Sequence, residues 1–94
     1  MLELGDLRLD PARHTATRGG RPLGLGPKEF GALELLLAAQ GRVVPAEELL
    51  DRVWDEMADP FTTSVKVTIS RLRRKLGDPP VIETVAQAGY QVRP

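Results

Sequence analysis

The first 25 residues alternate between short apolar runs and turn residues. Runs of this length, bounded by glycine, proline and aspartate, are typical of short strands. Gly19 and Gly20 suit a two-residue hairpin turn, since glycine accepts the positive φ angles that such turns need. Pro22 places its strand at an edge or near its own beginning. The predicted strands are residues 2–4, 7–9, 14–18 and 21–25.

From Pro27 onward the apolar spacing becomes helical. Proline is favoured at the first position of a helix, and Gly41 is expected to end this one. A second helix is predicted from Pro45 to about Trp54. The first helix is expected to bury Phe30, Leu33, Leu36 and Leu37. The second is expected to bury Leu49, Leu50, Val53 and Trp54.

A third helix is predicted over residues 62–76, after a loop at 57–61. Thr62 and Thr63 are candidate N-terminal caps, because their hydroxyls accept from backbone N–H groups. Gly77 is expected to end the helix. At 100° per residue, one stripe is predicted to be buried: Val65, Ile69, Leu72 and Leu76. The opposite face and its flanks carry Thr63, Lys66, Val67, Ser70, Arg71 and Arg74.

Two cations of this helix are expected to lie away from that exposed face. Arg73 lies nearer the buried stripe, so its stem is expected to run along the domain. Lys75 is predicted to be a solvated charge. Residues 81–85 and 90–92 then predict a hairpin, with residues 86–89 as its turn. The order is therefore strands, three helices and a hairpin.

The length of 94 residues predicts one domain over residues 1–94. The longest apolar run, residues 33–39, is far shorter than the roughly 20 residues of a membrane span. The N-terminus lacks the pattern of a secretory signal, and the chain has no cysteine. We therefore expect a cytoplasmic protein.

Charge is segregated although the chain as a whole is neutral. Residues 46–60 hold six acids and one arginine, and residues 61–76 hold five basic residues and no acid. Because screening acts over about 8 to 10 Å, a local excess of this size can attract a polyanion. The alternative is a pair of solvated faces that partly neutralise each other.

Motifs of catalysis are not evident in the sequence. The single histidine, His14, falls in a predicted strand, and neither a nucleophile elbow nor a metal-spaced cluster is present. We expect no enzymatic activity, no metal and no cofactor.

The third helix carries a more specific pattern, Val-x-Val-x-Ile-x-x-Leu-Arg-x-Lys-Leu, over residues 65–76. Residues 63–76 resemble the recognition helix of the OmpR/PhoB family, the effector domains of many bacterial two-component response regulators. Matches in the right order run through the chain: Leu25, Glu29, Phe30, residues 33–36, Leu49, Leu50, Val53, Trp54, residues 82–85, Gly89 and Tyr90.

This resemblance implies an α+β winged helix-turn-helix fold. Residues 1–25 would form a four-stranded antiparallel sheet, residues 27–76 a three-helix core, and residues 81–93 a β-hairpin wing beside the recognition helix. It also implies sequence-specific binding of double-stranded DNA for transcriptional regulation, as the output domain of a response regulator. The domain is expected to be a monomer in isolation and to pair on promoter direct repeats. The loop from Asp55 to Phe61 would be a contact for RNA polymerase.

The resemblance also assigns roles to individual residues. Arg71 matches the base-reading arginine of the family. Thr84 and Tyr90 match wing positions that contact the DNA backbone. The positions that usually meet phosphates or bases are Ser64, Thr68 and Ser70. With the exposed face, the predicted DNA-binding residues are Thr63, Ser64, Lys66, Val67, Thr68, Ser70, Arg71, Arg74, Thr84 and Tyr90.

The chain departs from the family pattern at expected cationic positions. Many members have arginine at the position of Thr63, and an arginine followed by glycine where this chain has Ala86 and Gln87. We therefore expect the isolated domain to bind DNA weakly and with a shallow salt dependence. The chain lacks the arginine with which the wing of many members would enter the minor groove. The competing hypothesis is a winged-helix protein-interaction module, in which Val67 and the cationic face meet an acidic protein.

Overall fold

The computed structural model describes residues 1–53 and 65–93. Its N-terminal part is a four-stranded antiparallel sheet in which the strands are neighbours in chain order. Along the second strand Leu7 and Leu9 are fully buried, whereas Arg8 between them is exposed. This alternation gives the sheet one buried face. The strands are β1 (Leu2–Leu4), β2 (Leu7–Asp10), β3 (Thr15–Arg18) and β4 (Arg21–Pro22).

The predicted strands are correct in order, but three of their bounds are wrong. The second strand extends one residue further than predicted, to Asp10. His14 lies in the turn before β3, since its φ of 56° is a left-handed conformation that does not fit a strand. The Asp10 carboxylate accepts from two backbone N–H groups of that turn. The His14 ring stacks on Phe30, with centroids 3.9 Å apart. The fourth strand ends at Pro22 instead of residue 25, and Gly24, with a φ of 62°, redirects the chain there.

The first helix, α1 (Pro27–Ala38), begins and ends as the sequence predicts. Pro27 opens it, and the Gly26 N–H donates to the Glu29 carboxylate over 2.9 Å. Gln40 and Gly41 follow it with positive φ angles, which stop the helical path. The four side chains that were expected to be buried are buried.

The second helix, α2 (Ala46–Val53), corrects one prediction. Leu49 is fully buried against the core, but Leu50 is 45% exposed. Adjacent residues lie 100° apart around a helix, so a helix of eight residues that buries Leu49 turns Leu50 towards solvent. Trp54 lies outside the described residues.

The third helix, α3 (Val65–Leu76), and the hairpin of β5 (Ile82–Val85) and β6 (Gly89–Val92) complete the fold. Residues 62–64, predicted to begin α3, lie outside the described part, as does the loop at 57–61. Helix α1 packs against α2, α3, β1 and β6, so it lies at the centre of the molecule. We call residues 82–92 the wing, and residues 86–88 its tip.

The two strands of the wing pair with each other, and the second strand also bonds to the chain ahead of α2. Val44 and Tyr90 exchange two backbone hydrogen bonds, of 2.7 and 3.0 Å. Gly89 permits this approach, since a Cβ at that position would clash with the Val44 carbonyl oxygen, and its φ is 145°. Tyr90 pairs with Thr84, next to the Val85–Gly89 pair that precedes the tip. The wing is therefore fixed close to its tip to the chain ahead of α2.

Candidate nucleic-acid interface

Helix α3 divides into a buried and an exposed side as the angular analysis predicts. Its buried stripe, which anchors it to the core, is Val65, Ile69, Leu72 and Leu76. The exposed residues of α3 among those predicted to bind DNA form what we call the reading face: Lys66, Ser70, Arg71 and Arg74. Val67 lies beside them and is half-buried.

Thr68 does not join the reading face. It is 7% exposed and turned towards the core side of α3. This burial follows from the helical period, because at about 100° per residue Thr68 lies about 40° from Leu72, next to the buried stripe. Its contact with DNA, which the family resemblance implies, stays a prediction. Thr63 and Ser64 lie outside the described residues, and their assignments stay predictions.

The reading face is electropositive. Helix α3 has five basic residues and no acidic residue. Among described residues, the cations of the reading face make no ion pair within 4.0 Å. Their charge is therefore available to an external anion.

Lys75 behaves differently from its predicted role as a solvated charge. Its Nζ donates to the Glu29 carboxylate over 2.7 Å and to the Gly24 carbonyl over 3.1 Å. Burial opposes ionisation of Glu29, but the hydrogen bonds from Lys75 and the Gly26 N–H, with the charges of Lys75 and Arg71, outweigh it and lower the pKa of Glu29. The carboxylate thus ties α3 to the start of α1.

The C-terminal end of α3 is held by the N-terminal sheet. Arg18, 8% exposed, donates from Nη1 to the carbonyls of Leu76 and Gly77 over 3.1 and 3.2 Å. Its Nε lies 3.4 Å from the Asp6 carboxylate. These bonds satisfy carbonyls that the end of a helix leaves without an intrahelical partner. Sequence reasoning missed Arg18, although the strand alternation from Ala16 places it on the buried face.

The wing lies against the same helix through Arg73. Its Nε donates to the Ile82 carbonyl over 3.3 Å, its Nη2 donates to the Thr84 hydroxyl, and its guanidinium carbon lies 6.0 Å from the centre of the Tyr90 ring. Arg73 thus lies along the domain, as predicted. Thr84 is exposed and Tyr90 half-buried. The wing tip, Ala86 to Ala88, carries no cation.

Other kinds of site find no support in this part of the molecule. Within the described residues, carboxylates and the imidazole form no cluster suited to holding a metal ion. No helix in those residues has the length and apolar character needed to cross a membrane. The basic helix and the wing beside it remain the candidate site.

Comparison with known protein families decides the class. Residues 20–92 match the family described as the C-terminal domain of transcriptional regulatory proteins. The chain belongs to this family. It is an OmpR/PhoB-type effector domain with the winged-helix fold, and its family is one of transcriptional regulators, a class distinct from enzymes.

Individual relatives agree with this assignment. The OmpR/PhoB-type domain is 51% identical over 92 residues to the transcriptional regulatory protein CutR of Streptomyces coelicolor, covering 98% of this chain and 42% of CutR. The chain spans about two fifths of the length of the curated relatives that it matches most strongly.

Solved structures place the domain in the same group. The DNA-binding domain of CpxR from Escherichia coli superposes with a TM-score of 0.84 at 37% identity, covering 97% of this chain and 93% of that one. The DNA-binding domain of RstA from Klebsiella pneumoniae, solved in complex with the RstA box, gives 0.84 at 33% identity, covering 97% and 94%.

Proposed function

We propose that this domain binds double-stranded DNA sequence-specifically and serves as the output domain of a two-component response regulator. The observation that carries the proposal is the reading face, which presents exposed cations on a helix that has no acidic residue. A major groove admits an α-helix, and its phosphate walls attract such a face. The RstA DNA-binding domain, solved in complex with the RstA box, supports DNA as the ligand of this fold.

Arg71 is the residue that we propose reads a base. It is exposed on one flank of the reading face. A guanidinium can donate two parallel hydrogen bonds to O6 and N7 of guanine. Ser70, Lys66 and Arg74 lie on the same face and suit phosphates or base edges. Val67 supplies an apolar surface for a thymine methyl group.

The wing supplies a second contact. The exposed Thr84 and the ring of Tyr90 suit the DNA backbone beside the major groove. The tip has alanine and glutamine where a cation would enter a narrow minor groove, so we propose that the wing contacts phosphates without inserting into that groove.

Pairing on DNA would supply the affinity that one domain lacks. A single reading helix covers one half-site, and two linked copies on a direct repeat raise each other's effective concentration. We propose this arrangement for the whole protein, which is longer than the present chain if it resembles its relatives. The RNA polymerase contact from Asp55 to Phe61 lies outside the described residues and stays a prediction.

The proposal is tested with a fluorescein-labelled pool of DNA duplexes whose central base pairs are randomised. Repeated selection by the wild-type chain should enrich a common sequence, and Arg71→Ala should weaken binding to it by about 1–3 kcal/mol, the cost of losing a bidentate base contact. Arg8→Ala is the matched control, because Arg8 is exposed on the sheet and paired with Glu3. Absence of binding at low salt would refute the DNA proposal and favour the protein-interaction module.

A further inference from the structure

Arg73 lies between α3 and the wing and contacts both strands of the hairpin. Its Nε donates to the Ile82 carbonyl over 3.3 Å, and its Nη2 donates to the Thr84 hydroxyl, both in β5. Its guanidinium carbon also lies 6.0 Å from the centre of the Tyr90 ring in β6, within the range of a cation–π contact. The side chain is half-buried by these contacts. Its guanidinium is thus engaged within the domain before any ligand binds.

The hydrogen bond from Arg73 determines where the hydroxyl proton of Thr84 points. A guanidinium has donors and no acceptor, so the hydroxyl oxygen must accept from Arg73. The single proton of Thr84 then points away from Arg73. Because Thr84 is exposed, that proton is available to an acceptor outside the domain. A charged donor also polarises the hydroxyl and strengthens the bond that it donates.

We propose that Arg73 is a positioning residue that holds the wing against α3 and orients the Thr84 hydroxyl as a donor to a DNA backbone phosphate. The inference rests on the proposed DNA-binding function. Arg73 lies on α3 but acts through the wing, whereas Arg71 and Arg74 belong to the exposed reading face. Arg73 is thus a side-chain link between α3 and the wing, beside the backbone bonds between Val44 and Tyr90 that join the wing to the chain ahead of α2.

A double-mutant cycle tests the connection between the two residues. Arg73→Gln, Thr84→Val and the double variant are compared by fluorescence anisotropy with the duplex selected by the wild-type chain. Each single variant should bind roughly 10-fold more weakly, and the double variant no more weakly than the worse single one, since both remove one connected interaction. Additive losses would overturn the proposal.

Salt dependence separates positioning from direct phosphate contact. If Arg73 neutralises no phosphate, Arg73→Gln should leave the slope of log Kd against log salt unchanged, whereas exposed Arg74→Gln should reduce its magnitude by about 0.9. Arg73→Lys keeps the charge but loses the forked geometry, so it should bind as weakly as Arg73→Gln. A reduced slope for Arg73→Gln, or full rescue by lysine, would overturn the proposal.

The free domain supplies a test that does not depend on DNA. In nuclear magnetic resonance spectra, Arg73→Gln should shift the backbone amides of residues 82–92 and leave those of the N-terminal sheet in place, which also shows that the variant is folded. Unmoved wing amides would overturn the positioning role. If the wild-type chain binds no duplex, the proposed function fails, and these wing amides still decide whether Arg73 positions the wing.

Discussion

Glu29 shows how one carboxylate joins two helices of the domain. It accepts from the Gly26 N–H at the start of α1 and from Lys75 near the end of α3. Its side chain is 10% exposed and that of Lys75 is 38% exposed, so this pair is screened less than one at the surface. The position of α3 on the core therefore depends partly on charge.

Replacing Glu29 with glutamine should lower the free energy of unfolding by about 1 kcal/mol near neutral pH. The folded-state pKa of Glu29 is lowered, so the stabilisation is present above the ordinary range of a glutamate and is lost as pH falls through the lowered pKa. Urea denaturation at neutral and acidic pH measures this difference, with Glu34→Gln as a control on the same helix. A loss that stays constant as pH falls would contradict the assignment.

Gly89 allows a close backbone approach, and its replacement should be costly. In Gly89→Ala the new Cβ would meet the Val44 carbonyl oxygen, and the φ of 145° is unfavourable for alanine. We expect a loss of about 3 kcal/mol in the free energy of unfolding. Gly20→Ala is the matched control, because Gly20 has a φ of 80° but open space around it, and should cost about 1 kcal/mol. Chemical denaturation measures both variants. Equal losses in the free energy of unfolding would show that the contact with the Val44 carbonyl oxygen is unimportant.

At the scale of elements, the end of α3 depends on a side chain from β3. Arg18→Leu removes the donor that satisfies the Leu76 and Gly77 carbonyls. The free energy of unfolding should fall by about 2 kcal/mol, because a buried carbonyl is left without its partner. Amide hydrogen exchange should also quicken in the last turn of α3.

The exposed Arg8 of the neighbouring strand is the control for this change. Arg8→Leu should alter stability by less than about 0.5 kcal/mol, since its pair with Glu3 is solvent-exposed. Equal effects of the two substitutions would argue against a specific cap on α3.

Periodicity predicted the elements well because it depends on local geometry alone. The buried stripe of α3 follows from 3.6 residues per turn, whatever packs against it. Lys75 was mispredicted because its partner, Glu29, lies 46 residues away in the sequence. Leu50 was mispredicted because the hydrophobicity of a side chain does not show which side of a short helix meets the core. Thr68 was assigned to DNA binding from the family resemblance alone. Its angle around the α3 axis places it next to the buried stripe, which explains its burial.

At the scale of the whole molecule, a neutral chain carries a basic recognition surface. The positive charge is concentrated on α3, and the wing tip adds none. The exposed cations of α3 are Lys66, Arg71 and Arg74, and roughly two or three neutralised phosphates would give a slope of log affinity against log salt of about −2 to −3. The domain should therefore lose affinity with salt less steeply than a relative with more cations.

Adding a cation to the wing tip should increase both affinity and salt dependence. Ala86 is exposed, and Ala86→Arg should steepen the slope by about 0.9 if the new charge reaches a phosphate. Ala12→Arg, in the exposed turn before β3, adds the same charge away from the wing and serves as the control. Anisotropy titrations over a range of salt concentrations measure both variants, and identical slopes would show that the tip does not approach DNA.

The paired hydrogen bonds between Val44 and Tyr90 allow the residues of the wing tip to be replaced while the wing stays attached. They join backbone atoms of β6 next to the tip to the chain ahead of α2, so the side chains of residues 86–88 can change without removing these bonds. Gene duplicates could diverge in target preference by altering three codons while keeping the same core. A protein engineer could replace residues 86–88 with the corresponding residues of other family members. The affinity for the minor groove would then change while the core stays the same.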